Sequence, residues 1–277
     1  MLKQRVITAL VLLALLLPAL FAPTAEPLAG LTLILMAAAA WEWGRLNGLG
    51  MRGALRLAAL CLILCLLVWH FGWAYDMPWD VWTPVGGVWV LVSAWFIHRG
   101  VPAWGQTSQA LRLIGGLIVL CVTWWAVYRA KVMGINFLLS ILALVWMADI
   151  AAYFAGHAFG RRKLAIHISP GKSWEGVWGG MTGVMAMALV WSWADTQWSL
   201  DGLSVYSRLA EHGWFFMVLA VVFLTAMSVV GDLMESLVKR SAGMKDSSGL
   251  LPGHGGVLDR VDALLPTLPL ALMLVQA

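Results

Sequence analysis

FFMVLAVVFLTAMSVVGDLMESLVKR, residues 215–240, is the stretch that decides the fold. From Phe215 to Val230 it is apolar and uncharged, the pattern of a helix that lies in lipid or deep in protein. At Gly231 the charges begin: Asp232, Glu235, Lys239 and Arg240. If the helix continues, Asp232, Ser236, Lys239 and Arg240 share one face, because residues three, four and seven apart align. The chain then reads SAGMKDSSGLLPGHGGVLDRVD to residue 262, with glycines that break the helix and let backbone approach a ligand closely. Asp259 and Asp262, three apart, fall on the first turn of a following helix. Carboxylates at two helix ends, with Lys and Arg between them, suit a divalent metal and phosphate, since hard cations take oxygen ligands and Arg and Lys hold phosphate oxygens. A solvated connection between membrane helices accounts for Lys239 and Arg240. It does not account for the aspartates or the PGHGG turn.

Outward from this stretch the composition agrees. Of 277 residues, 61% are hydrophobic and 12% charged, and mean hydropathy is +0.84. A soluble chain carries about a quarter charged residues, so this one is expected to be an all-α polytopic membrane protein. Apolar runs predict about eight or nine transmembrane helices: residues 6–21, 28–43, 57–75, 85–97, 113–128, 136–159, 177–194, 214–230 and 263–276. The fourth and the last are short for a full crossing. The chain is expected to divide into N-terminal helices, 1–130, and a C-terminal region, 131–277, with its polar site on the cytoplasmic side. With the N-terminus cytoplasmic and each span flipping the side, all 18 Lys and Arg except Arg129, Lys131 and Arg208 fall inside. Cys61, Cys65 and Cys121 lie in apolar runs and read as small hydrophobic residues rather than a disulfide framework or metal site. Trp41, Trp43, Trp73, Trp79, Trp82, Trp104, Trp198 and Trp214 sit near span ends, as interface anchors do.

A second charged block lies upstream, DIAAYFAGHAFGRRKLAIHISPGKSWEGVWGG, residues 149–180. Asp149 sits inside an apolar segment, where a carboxylate is expensive without a partner. Gly156 and Gly160 make a small-xxx-small pattern for close helix packing. Ser173 is placed to cap the helix that follows, and a helix start beside Lys172 suits an anion. The GKS triplet is not a P-loop, because Ile166 stands where that motif needs glycine and no soluble strand precedes it. His157 and His167 lack metal-ligand spacing and read as structural or interfacial.

Together the blocks carry a resemblance. Ser236-x-x-Lys239-Arg240-x4-Lys245-Asp246, then Pro252-Gly253-His254-Gly255-Gly256-x-x-Asp259-Arg260-x-Asp262, is similar to the signature of phosphatidate cytidylyltransferases, the CDP-diacylglycerol synthases. Asp149 with Tyr153-Phe154-x-Gly156, and Ser169-Pro170-x-Lys172-Ser173-x-Glu175-Gly176, resemble the same family, with Ser173 where its members commonly have Thr. The resemblance covers the chain from about residue 149 onward; the N-terminal half shares only its hydrophobicity.

The resemblance implies an enzyme of phospholipid biosynthesis in a bacterial-type inner membrane, with its active site facing the cytoplasm. It would join CTP and phosphatidic acid into CDP-diacylglycerol and pyrophosphate. Asp232 and Asp259 are then expected to bind Mg²⁺, with Asp246 and Asp262 as further ligands or close by, and Lys239 to act in catalysis. Lys172, Arg240, Lys245 and Arg260 are phosphate-binding candidates; Ser173, Ser236 and His254 hydrogen-bond phosphate or orient the loop. The resemblance allows a monovalent cation such as K⁺ beside Mg²⁺. The expected partners are CTP, phosphatidic acid and the lipid bilayer, with no nucleic acid; the sequence leaves a homodimer open. Two other classes predict features the chain lacks. A CDP-alcohol phosphotransferase would carry a D-x-x-D-G-x-x-A-R run, and a transporter built on intramembrane charges would show a second copy of the 231–262 pattern.

Overall fold

The computed structural model describes residues 2–76, 78–198 and 200–276. In chain order come α1 (Leu2–Leu20), α2 (Glu26–Leu46), α3 (Met51–His70), the short α4 (Trp73–Asp76) and a 3-10 turn (Trp79–Val81). Next are α5 (Trp82–Arg99), α6 (Val101–Gln106), α7 (Gln109–Val132) and α8 (Ile135–Phe159). A hairpin follows, β1 (Lys163–Ala165) with β2 (Ser169–Ser173), then α9 (Trp174–Gln197) and α10 (Val205–Glu211). The chain closes with α11 (Trp214–Ser241), α12 (Leu258–Val261) and α13 (Leu264–Leu274). The expectation of helices throughout therefore needs one correction. The basic loop after α8 folds as an antiparallel pair, with Lys163 opposite Ser173 and Ala165 opposite Ser169.

Among the described residues, six helices are long and apolar enough to cross a membrane: α2, α3, α7, α8, α9 and α11. The expected last span, residues 263–276, forms a helix shorter than these six. α13 has eleven residues and is buried from Leu265 to Leu272. A helix apolar all round belongs inside protein, and α13 packs against α5, α7, α8 and α11.

Local chemistry sets several boundaries. Ser108, Ser173 and Ser204 each accept a hydrogen bond from the backbone N–H three residues on, capping α7, α9 and α10. Gly134 joins α7 to α8 at φ 124°, and a Cβ there would lie 2.5 Å from the Asp201 carbonyl oxygen.

α8 and α9 pack closely because one presents alanines to the other's glycines. A Cβ on Gly179 would stand 2.2 Å from the Ala155 Cβ, and one on Gly183 would stand 2.6 Å from the Ala151 Cβ. Of the two glycines read as a packing pair, Gly156 faces α9, where its Cβ would stand 3.7 Å from the Gly176 Cα. Gly160 caps α8 and lies against the cap of α9: a Cβ there would strike the Gly156 carbonyl oxygen at 2.2 Å and stand 2.9 Å from Ser173 Oγ.

One apolar core runs through both halves of the chain, from Leu28 and Met36 through Trp124 and Ile141 to Leu237 and Leu268. The tryptophans divide in two. Trp73, Trp198 and Trp214 are exposed, as a belt requires. Trp82 and Trp104 are buried, and Trp104 donates its indole N–H to Asn47 while Trp43 donates to the Arg112 carbonyl. The reading of Trp43, Trp82 and Trp104 as anchors gives way to packing pins; the Trp79 side chain lies outside the described residues. The cysteines are free, with Cys61 and Cys65 buried, and the three sulfurs lie within 4.8 Å of one another.

Candidate active site

α11 is the spine of the site. Its apolar part packs in the core through Met217, Val221 and Leu224, and the last turns carry Asp232, Glu235, Ser236 and Lys239. Gly231 is the point of closest approach. A Cβ there would lie 2.5 Å from the Asp262 carbonyl oxygen and 2.9 Å from the Pro266 ring, so glycine lets the end of α12 rest on α11 beside Asp232.

Two lysines from different elements reach into this junction. Lys172, on β2, pairs with Asp232 at 2.6 Å. Lys239 lies 2.5 Å from Glu235 and 2.6 Å from Asp259. Ser236 donates to Asp232 at 3.2 Å. Asp259 is held on its other oxygen by the Ser247 N–H at 2.9 Å, the Ser247 hydroxyl at 2.8 Å and the Gly256 N–H at 2.8 Å. Burial works against the Asp259 charge, yet the Lys239 and Gly256 hydrogen bonds win and hold its carboxyl down at about 2. Asp262 goes the other way. Burial, reinforced by the Asp232 carboxylate, pushes it up to about 7. Carboxylates that resist sharing one charged state are the oxygen donor set a divalent cation relieves. Asp149, on α8, lies within electrostatic reach of Lys172 and Asp232.

The structure thus brings together Asp232, Asp259, Asp262, Lys172, Lys239 and Ser236. The remaining candidates stand differently. Arg240 is exposed and donates to the Met244 carbonyl. Lys245 and Asp246 are exposed and make no side-chain bond among the described residues. Arg260 donates through Nε (3.0 Å) and Nη2 (2.5 Å) to the His254 carbonyl, which fixes the PGHGG turn from outside. His254 keeps its Nδ1 buried, with no partner among the described residues. Ser173 is only 7% exposed and its oxygen takes the Gly176 N–H, so any substrate contact rests on its hydroxyl proton.

The sequence reading named Glu235 without giving it a role and passed over Glu42, Ser247 and Ser248. Glu42, on α2, is fully buried against the loop before α12. A signal was available, since a lone carboxylate in the apolar run MAAAAWEW is as costly as Asp149 in its own.

Beside the charged cluster lies an apolar cavity of about 600 Å³, bounded by Val88, Phe96, Leu111, Val119 and Met234, which reaches Gly231 and Glu235 of α11.

The chain matches the model of the cytidylyltransferase family over residues 3–277. It is 38% identical to a Pseudomonas aeruginosa protein named phosphatidate cytidylyltransferase, over all of this chain and 98% of that one. A Haemophilus influenzae protein of the same name is 46% identical over 49% of this chain and 44% of its own. A Staphylococcus epidermidis protein so named is 35% identical over 54% of this chain and 53% of its own. The matched region takes in α11, the glycine-rich loop and both lysines of the site, and the chain belongs to the cytidylyltransferase family.

Proposed function

We propose that this chain transfers CMP from CTP to phosphatidic acid, releasing pyrophosphate, at the inner face of a bacterial cytoplasmic membrane. The observation that carries the reading is the junction of α11 and α12, where Asp232, Asp259 and Asp262 meet Lys172 and Lys239. The relatives' names supply the substrates.

The chemistry fits that donor set. A phosphate oxygen of the lipid attacks the α-phosphorus of CTP; the new P–O bond forms as the bond to the β-phosphate breaks, and pyrophosphate leaves with the electron pair. The attacking oxygen is already anionic, so no strong base is needed. The difficulty is to bring anions together, which positioned cations do. Lys172 and Lys239 sit on carboxylates, so each can turn toward phosphate when substrate arrives. Asp232 and Asp262 have the donor chemistry to hold Mg²⁺, with Asp259 beside them, and a cation there would neutralise triphosphate charge. Both Asp259 oxygens already accept hydrogen bonds, so it serves the metal through its remaining lone pairs. Asp246, Lys245 and Arg240, at the exposed rim, suit contact with the departing or arriving nucleotide. The adjoining apolar cavity gives a lipid substrate somewhere to lay a chain. Its volume lies within the range of about 300–1,000 Å³ that holds small organic ligands.

The test is purified protein in detergent with phosphatidic acid, Mg²⁺ and CTP labelled at either phosphorus. Label from the α-position should enter the lipid phase, label from the γ-position should appear in pyrophosphate, and chelator should stop both. Label in neither product would end the reading.

A further inference from the structure

Glu42 stands near the end of α2, with none of its surface exposed. A buried carboxylate is costly unless donors meet it, and no cation pairs with it among the described residues. Four donors meet it instead. Oε1 accepts from the Ser248 hydroxyl at 2.5 Å and the Val257 N–H at 2.9 Å. Oε2 accepts from the Ser247 hydroxyl at 3.1 Å and the Leu258 N–H at 2.8 Å. All come from the other end of the chain, and all belong to the loop that carries the glycine-rich turn into α12.

The same loop holds Asp259. Ser247 Oγ lies between the two acids, 2.8 Å from Asp259 and 3.1 Å from Glu42; with one hydroxyl proton it donates to one of them at a time. The Gly256 N–H goes to Asp259, and the next two amides go to Glu42. There is no slack between these groups. A Cβ on Gly256 would lie 2.1 Å from Ser247 Oγ and 2.3 Å from Glu42 Oε1.

We propose that Glu42 is a positioning residue for the reaction. It touches no substrate; it pins residues 247–258 to α2, so that Asp259 meets Lys239 and the neighbouring carboxylates at fixed geometry. The N-terminal half of the chain thereby shapes the reacting site. This rests on the functional reading above.

Glu42→Gln tests it. An amide matches the carboxylate in shape but replaces one acceptor oxygen with a donor, and that donor faces an N–H or a hydroxyl. Hydrogen exchange of the variant, free of metal, should be about 10-fold faster or more at the amides of Ser247 and residues 256–258, with α8 and α9 unchanged. The Mg²⁺ concentration for half-maximal thermal stabilisation should rise about 10- to 100-fold, the range seen when groups behind metal ligands are removed, with kcat falling in step. Wild-type exchange and wild-type Mg²⁺ response would overturn the proposal. So would faster exchange spread evenly over all helices, which is the mark of a merely structural residue. If Glu42→Gln does not fold, Ser248→Ala removes one donor and leaves the carboxylate three; several-fold faster exchange at 256–258 is expected, and none overturns the proposal. If the wild-type protein shows no divalent requirement, the metal reading fails by itself, and exchange still judges Glu42.

Discussion

Asp232 and Asp259 are paired differently, and removing their charge should differ in consequence. Asp232 has one lysine and one weak serine donor, so Asp232→Asn leaves little buried charge behind. It should fold and lose ~10²-fold or more in turnover, typical of deleting a transition-state electrostatic group. Ser173 is a contrasting case. As the cap of α9 its replacement by Ala should cost about 1 kcal/mol of stability, with turnover per folded molecule nearly unchanged; a large kcat loss in folded Ser173→Ala would make it a substrate contact. Asp262 gives a pH prediction. Its folded pKa, about 7, is raised above the unfolded value. A raised carboxyl contributes stability that is whole below the unfolded pKa of about 4 and lost as pH rises through 7. Asp259, lowered to about 2, contributes equally at any pH above about 4. Chelator-treated protein should therefore melt lower at pH 8 than at pH 5.5, and Mg²⁺ should narrow the gap. A higher melting temperature at pH 8 without metal would contradict the assignment.

At the scale of elements, the seam between α8 and α9 positions Lys172, because β2 runs directly into α9. Gly179→Val would need space already taken by the Ala155 Cβ. Overpacking of this kind costs about 1–3 kcal/mol, so the variant should melt lower, with a larger loss of activity than of folded protein. The long apolar helices and the cap at Ser173 were legible in the sequence, because length and hydropathy decide the first and local hydrogen bonding the second. The shared face of Asp232, Ser236 and Lys239 follows from helix periodicity, while the approach of Asp262 to Asp232 depends on how the chain folds back at Gly231. The hairpin was not legible, because β1 is three residues long and its register carries no periodic signal. The burial of α13 was not legible, because apolar composition does not say whether lipid or protein surrounds a helix. Arg260 was expected to meet phosphate, and its bonds to the His254 carbonyl could not be foreseen, because they depend on where that carbonyl turns. Glu42 was missed because its partners are more than two hundred residues away in sequence.

For the whole molecule, the start of α1 supplies a check on sidedness. Thr8 donates to the Pro252 carbonyl at 2.9 Å, and Gly253 lies against Arg5, so the N-terminus and the charged loop share one face. The opposite face carries Asp201, tied to the start of α8. In right-side-out membrane vesicles, Asp201→Cys should react with an impermeant maleimide and Met244→Cys should not; the reverse pattern would invert the proposed topology. Both halves of the chain build the core that supports the site. Trp124 donates to the Ala29 carbonyl, Thr123 to the Leu265 carbonyl, and α2 holds the loop before α12.

The central claim is that carboxylates at the α11–α12 junction position the cations that balance the charge of the reacting phosphates. The direct measurement is the initial rate of label transfer from α-labelled CTP to phosphatidic acid by Asp259→Asn, in protein shown to be folded by its melting curve. The account predicts a rate at least about 10²-fold below wild type. A rate near wild type at the same CTP and Mg²⁺ would contradict it.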